Sequence, residues 1–355
     1  MTESLAHLLQ TSPKMSDAKT ARARLQLLLD KAAEEGIVDA LGREFQAHPM
    51  IEDLILGIAS QSPYLWRLAL QNPTRLLRLL VEPPDQRFDA LIEECALAAK
   101  AYAGDEAAMM RALRLIKQEA ALLIALADVG GAWPVERVTE ALSSLADAVL
   151  RAALHFVTDQ EMERGKLSLA EASDPQARCG LVILALGKHG ARELNYSSDI
   201  DIVVLYDPDK APLTDGVEPG PLFVRMVKAI VRLIDQRTSD GYVFRVDLRL
   251  RPDPASTPVA ISVASAFAYY ESVGQNWERA ALIKARPVAG DLGVGEAFLA
   301  DLSPFIWRKY FDFAAIADIH AMKRQIHAVR GHEAIAVAGH DIKLGRGGIR
   351  EIEFF

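Results

Sequence analysis

A chain of 355 residues has room for two or three domains, each with its own core. Half of its residues are hydrophobic and a quarter charged, which excludes a disordered chain, and a formal charge of −8 argues against a long nucleic acid as substrate, because a phosphate backbone calls for a basic surface. Two cysteines, Cys95 and Cys179, cannot make a disulfide framework or a zinc knuckle; they fit a reducing cytoplasm, and neither a signal-peptide pattern nor an apolar run of ~18–20 residues points to secretion or a membrane.

Residues 1–20 are polar, with Ser12-Pro13 and Ser16-Asp17, and read as a loose tail. Residues 21–170 read as a helical domain. Leu113, Ile116, Ala120, Leu123 and Ala127 recur at three- and four-residue steps and make one apolar face. Helix boundaries are expected at His48-Pro49, Ser62-Pro63, Asn72-Pro73, Pro83-Pro84, Gly104, Gly130-Gly131 and Pro134. No fixed-period repeat suggests a solenoid. Arg75, Arg78, Arg111 and Arg114 read as a solvated helix face or as contacts to a partner. Residues 158–177, with Gly165 and Ser173-Asp174-Pro175, read as a connecting loop.

The chemistry concentrates in residues 180–206. An apolar run at 181–186 has buried-strand length, a glycine-containing turn follows at 187–190, and a second run spans 200–206. A period of two puts Asp199 and Asp201 on one face and turns Ile200, Ile202 and Val204 the other way. Two carboxylates side by side raise each other's pKa unless a cation sits between them; a hard divalent ion such as Mg²⁺ suits oxygen ligands. The alternative is a solvated sheet edge. Asp207-Pro208-Asp209 reads as a turn, and residues 221–237 as a helix with Phe223, Val227, Ile230, Val231 and Ile234 on its buried stripe.

Residues 242–252 alternate again. Arg245, Asp247, Arg249 and Arg251 share one face, and Phe244, Val246, Leu248 and Leu250 the other. Three arginines in a row repel one another on a bare strand, but make sense beside bound anions. Asp247 then reads as a third metal-ligating carboxylate from a neighbouring strand, with Arg249 and Arg251 as phosphate clamps. An Arg–Asp ion-pair ladder is the alternative. Residues 264–283 read as one helix, in which Trp277 is a core residue or a base-stacking one. Lys284 and Arg286 close the positive cluster, and residues 313–329 read as helical. The chain ends on an apolar pair in mid-pattern, which reads as a truncated frame. P-loop, dinucleotide-fold and zincin patterns are absent, and His320 and His327 read as ordinary helix residues.

Strand, glycine turn, Ser-Ser, Asp-x-Asp and strand together resemble the nucleotidyltransferase superfamily typified by DNA polymerase β. His189-Gly190-Ala191 stands for the superfamily's apolar-Gly-[Gly/Ser] turn, with His189 and Ala191 as departures, and Asp199-Ile200-Asp201-Ile202 matches its carboxylate pattern. Several blocks resemble one family more narrowly, the bifunctional glutamine synthetase adenylyltransferase/adenylyl-removing enzymes of bacteria. They are Ser62-Pro63-Tyr64-Leu65, Arg192 to Asp201, Arg245 to Pro252, Asn276-Trp277-Glu278-Arg279 and Lys343 to Glu351.

That resemblance implies an α+β fold: a mixed-sheet nucleotidyltransferase domain at 171–300, flanked by the helical domain at 21–170 and by a truncated helical region at 301–355. It implies that Asp199, Asp201 and Asp247 are catalytic and hold two Mg²⁺ ions, with Mn²⁺ able to substitute. Gly187, Lys188, Gly190, Ser197, Ser198, Arg249 and Arg251 would contact nucleotide and phosphate. The implied partners are glutamine synthetase, a PII-type nitrogen signal protein, ADP or ATP, and phosphate, in the cytoplasm, with no nucleic acid and no membrane. The order of segments resembles the adenylyl-removing half, which implies phosphorolysis of adenylyl-tyrosine to ADP; ATP-dependent attachment and a non-catalytic docking module are the alternatives. After Arg251-Pro252 the family often has a Gly/Ser-rich turn, where this chain has Asp253-Pro254-Ala255-Ser256-Thr257-Pro258.

Overall fold

Proline and glycine cut the first half of the chain into helices at the expected places. The computed structural model describes residues 3–169 and 174–307, and beyond them 324, 339–343, 345, 347–349 and 352. The helices of the first half are α1 (Leu5–Leu8), α2 (Ala18–Glu34), α3 (Val38–Ala47), α4 (Met50–Gln61), α5 (Pro63–Gln71), α6 (Pro73–Val81), α7 (Pro84–Ala101), α8 (Glu106–Val129) and α9 (Val135–Glu163). Proline at a first helical position gives up an N–H that has no intrahelical partner, so Pro63, Pro73 and Pro84 start helices at no cost. Ser62 Oγ accepts the Leu65 N–H at 3.3 Å, and Asn72 Oδ1 the Arg75 N–H at 2.7 Å, satisfying donors the first turns leave open.

The beginning of the chain is packed, not loose. Leu5 and Ala6 are buried, the Leu5 N–H donates to the Glu82 carbonyl, and Gln10 and Thr11 both donate to the Gly130 carbonyl. Apolar Leu5 and Leu9, set among polar neighbours, drive this docking. Arg75 and Arg114 are likewise not on a solvated face: both are buried. Arg114 donates to the carbonyls of Gly241, Leu233 and Gln236, stapling α8 to the far end of a later helix. Arg78 reaches the buried carboxylate of Glu119. The connecting loop starts later than expected, because α9 continues to Glu163.

After a 3-10 turn at Pro175–Arg178 come β1 (Leu181–Ala185), the one-turn helix α10 (Gly187–Gly190), β2 (Ile200–Tyr206), α11 (Pro219–Asp235), β3 (Val246–Asp247), β4 (Ile261–Ser262), α12 (Val263–Ser272), α13 (Asn276–Leu282), β5 (Arg286–Gly290), α14 (Leu292–Asp301) and α15 (Ser303–Ile306). The expected single helix over 264–283 is two, interrupted where a Cβ on Gly274 would lie 2.7 Å from the Tyr270 carbonyl, and α13 opens with a capping box between Gln275 and Glu278. The sheet runs β3-β2-β1-β5, with β4 also paired to β2. β1 is antiparallel to β2 and β5, whereas β3 and β4 both lie parallel to β2, at its two ends. The fold is α+β with a mixed open sheet.

Strand alternation sorts the sheet's apolar residues between two layers. Leu181, Ile183, Ala185, Ile200, Ile202 and Val204 join a core continuous with the helices of the first half and α11. Val182, Leu184, Val203 and Leu205 meet α12, α14 and α15 on the opposite side. α9 is long and apolar enough to cross a membrane by length and composition, and 83% of its most apolar window is buried inside the protein. The expected helix at 313–329, with His320 and His327, lies outside the described residues.

Candidate active site

β2 carries the site because its first residues run past the edge of the second apolar layer. Ile200 is buried in the larger core, and Asp201, on the opposite face, precedes Val203 and Leu205 but is only half-buried. β3 pairs with this end in parallel, with Ile200 opposite Val246 and Asp201 opposite Asp247. Paired residues on neighbouring strands point to one side, so Asp247 joins Asp201, and Asp199 stands just before the strand on an exposed stretch. Burial first, and the charges of Asp199 and Asp247 next, push the Asp201 carboxyl up to about 6; Lys343 and Arg249 pull the other way. Asp201 therefore feels the charge of Asp247 across forty-six positions of sequence.

The turn that faces them is made possible by glycine. Gly187 has φ +56°, and a Cβ there would lie 2.8 Å from Asp201 Oδ2, so the backbone can approach the carboxylate only without a side chain. Gly190 is equally confined, since a Cβ would meet the Lys284 carbonyl at 2.1 Å. Lys188 is half-buried between them, Ser197 is exposed and Ser198 half-exposed on the segment leading to Asp199. Of the glycine turn, Gly187 is the residue set against Asp201, while Ser197 and Ser198 lead into Asp199 along the chain.

The strand expected over 242–252 is cut short. Only Val246 and Asp247 pair as a strand; Asp247 Oδ1 accepts the Arg249 N–H at 2.8 Å, an Asx turn that bends the chain away after two residues. Arg249 then folds its guanidinium back onto both Asp247 oxygens, with Nε at 3.0 and 2.9 Å, and holds that carboxyl below the usual range. Its side chain is 82% exposed at the mouth of the site. Arg251 does not share that face. Its donors are spent on the carbonyls of Leu248, Pro254 and Thr257, closing a loop in which Asp253 takes φ +38°, the conformation a glycine would otherwise supply. Arg286 also leaves the positive cluster for a buried ion pair with Asp147, at 2.7 Å. Trp277, expected in a core, is 37% exposed.

Two contributors escaped the pattern. Asp147, on α9, is buried and accepts from His189 Nε2 at 2.7 Å and from Arg286; it ties the glycine turn to α9. Its only signal was an acid inside the apolar stretch from Ala141 to Leu154. Lys343 is the second, since its charge bears on Asp201 from the Lys-Leu-Gly-Arg-Gly-Gly block near the end of the chain.

Among the described residues no group of three His, Cys, Asp or Glu side chains is gathered closely enough to hold a metal, and both Asp247 oxygens are occupied by Arg249. The donor set is nonetheless of the oxygen-only kind that a hard divalent cation takes, with Asp201 feeling the charge of both Asp199 and Asp247.

Residues 51–301 match the family model described as glutamate-ammonia ligase adenylyltransferase. The chain belongs to that family. Similar curated proteins, each called a bifunctional glutamine synthetase adenylyltransferase/adenylyl-removing enzyme, come from Xanthobacter autotrophicus (54% identity), Bradyrhizobium diazoefficiens (51%) and Rhodopseudomonas palustris (51%). Each comparison covers 99% of this chain and 35% of the relative, so the chain spans about a third of the length of the adenylyltransferases it matches. Residues 319–355 also match a family model described as PII-uridylyltransferase.

Proposed function

We propose that this part of a glutamine synthetase adenylyltransferase removes the adenylyl group from the synthetase by phosphorolysis. A phosphate oxygen bonds to the phosphorus of adenylyl-tyrosine, the bond from phosphorus to the tyrosyl oxygen breaks, and ADP leaves with the tyrosine restored. Tyrosine is a tolerable leaving group because its phenol has a pKa of about 10, far below an alkyl alcohol. The observation that carries the reading is the parallel pairing of Asp201 with Asp247 beside Asp199.

Asp199, Asp201 and Asp247 would hold Mg²⁺, or Mn²⁺ in its place. When bound, the cation would neutralise charge building on the phosphoryl oxygens. The chain's own groups do the rest. The backbone at Gly187 comes close to the acids, and Lys188 together with the Ser197 and Ser198 hydroxyls supplies donors for phosphate oxygens. Arg249, exposed at the mouth of the site, would offer a guanidinium fork to the incoming phosphate. Lys343 adds a second positive charge acting on Asp201. The partners belonging to this reading are glutamine synthetase and, through the resemblance of 319–355, a PII-type protein, all in the cytoplasm.

The test incubates the chain with adenylylated glutamine synthetase, phosphate and Mg²⁺. ADP should be released, and Asp199→Asn or Asp201→Asn should lower the rate by roughly a thousandfold. Pyrophosphate released from ATP and unmodified synthetase, without phosphate-dependent ADP release, would assign the chain to attachment instead. Turnover indifferent to both substitutions would remove the acids from the chemistry.

A further inference from the structure

A cleft of about 1040 Å³ separates α5, α6 and α8 from the segment between α11 and β3. Four cations line it (Arg67, Arg75, Lys117 and Arg237) against one carboxylate, Asp240, in a chain whose formal charge is −8. Lys117 Nζ lies 5.3 Å from the ring centroid of Tyr64 and 5.6 Å from that of Tyr242, and Arg237 lies 5.8 Å from Tyr242. The cleft therefore pairs tyrosine faces with positive charge.

Its wall includes an arginine whose hydrogen bonds are incomplete. Arg75 is 7% exposed, and one of its terminal nitrogens donates to the Leu68 carbonyl at 2.6 Å, while its Nε has no hydrogen-bond partner. The nearby carboxylate of Glu119 is already taken by Arg78 and Arg87, at 2.6 and 2.7 Å. No ion pair to Arg75 exists among the described residues. A nearly buried guanidinium with no ion-pair partner, in the wall of a cationic cleft, suits an anion that enters from outside.

We propose that this cleft is a second ligand site, adjoining the carboxylate site, for a small organic anion that sets a phosphate or carboxylate on Arg75 and an unsaturated ring against Tyr64 or Tyr242. The volume suits a ligand of nucleotide size, since small-molecule sites run from about 300 to 1,000 Å³. None of Asp199, Asp201 and Asp247 lines the cleft, so the inference goes beyond the phosphorolytic reading and does not rest on it. Tyr196 and Ser197 do line it, which places the bound anion beside the segment that presents Asp199.

The test is calorimetric titration of the full 355-residue chain with two probes that share a ring and differ in their anion, phenyl phosphate and phenylacetate. At least one should bind saturably, and the tighter names the anion the site prefers. Arg75→Met should weaken that probe by roughly ten- to a hundredfold, the range for losing a charged hydrogen bond. Should this variant unfold, the rim variants Lys117→Ala and Arg237→Ala carry the test, each with an expected loss of a few-fold and an unchanged melting temperature. Asp201→Asn should bind the probe as the parent chain does, whatever becomes of turnover. Failure of both probes to bind at millimolar concentration overturns the site. So does binding that survives all the cleft substitutions, or binding lost in Asp201→Asn, which would put the probe at the carboxylates.

Discussion

Gly187 shows how one missing side chain conditions the chemistry. Its positive φ and its 2.8 Å virtual contact with Asp201 Oδ2 leave no room for a methyl group. Gly187→Ala should therefore cost about 1 kcal/mol in backbone strain and displace the Asp201 carboxylate. A melting temperature lower by roughly 2–4 °C should accompany a drop in phosphorolysis of about a hundredfold, since an error of 1 Å in placement is enough for that loss. Thermal melts and ADP-release kinetics on the same preparation check both. The pairing of Asp199 with Asp201 was readable from a period of two. The fate of Arg249 and Arg251 was not: both stand at alternate positions, but the Asx turn begun by Asp247 depends on side-chain geometry that alternation does not encode. Trp277 was misjudged for a related reason, because its helix contributes Glu278 and Leu282 to the interior and leaves the indole outside.

Among the elements, α9 does the most to hold the site still. It supplies Asp147 to the His189–Arg286 pair, donates Arg151 to the Val288 carbonyl at 2.7 Å, and offers Glu161 to Arg225 on α11. Burial alone would raise the Asp147 carboxyl; hydrogen bonds from His189 and Arg286 outweigh it and hold the group below its usual range. A depressed folded pKa means that this contribution is present above the unfolded pKa of about 3.9 and is lost as pH falls through the lower, folded value. Asp147→Asn should cost about 3 kcal/mol near neutrality, and the gap in denaturant midpoint between variant and parent should shrink as pH falls toward and below 4. A gap that stays constant over that range would show that the charge of Asp147 contributes nothing. Helix boundaries were legible because proline and glycine act locally; that Asp147 faces inward was not, because the partners that neutralise it, His189 and Arg286, lie 42 and 139 positions away.

At the scale of the molecule, the helical half and the sheet share one continuous apolar cluster, so the boundary near residue 170 marks a change of secondary structure and not of core. Leu5 and Leu9 belong to that cluster, and a Cβ on Gly57 would lie 2.4 Å from the Pro13 carbonyl, which shows how tightly the leading segment lies against α4. Removing residues 3–16 should lower stability by about 3 kcal/mol or more and the melting temperature by on the order of 5 °C. A melt unchanged by the truncation would return that segment to the loose tail its polar composition suggested. The strands β1 and β2 were legible from hydrophobic period and the α+β class from the family resemblance, whereas β5, as long as β1, was not read. The cleft was not, because it is made by helices and a turn that meet only after the chain has folded, and its charges are scattered from Arg67 to Arg237.

β2 receives β3 at Asp201 and β4 at Tyr206 along the same edge. Residues 248–260 are thus an arch with both feet on one strand, and the distance between the feet is set by β2 and not by the arch. Its span can grow, shrink or change composition without sliding any acid out of line. The hydrogen-bonded knot around Arg251 and Asp253 is one solution among many that such an arch can hold, and evolution can alter the reach of this rim while the three carboxylates stay put.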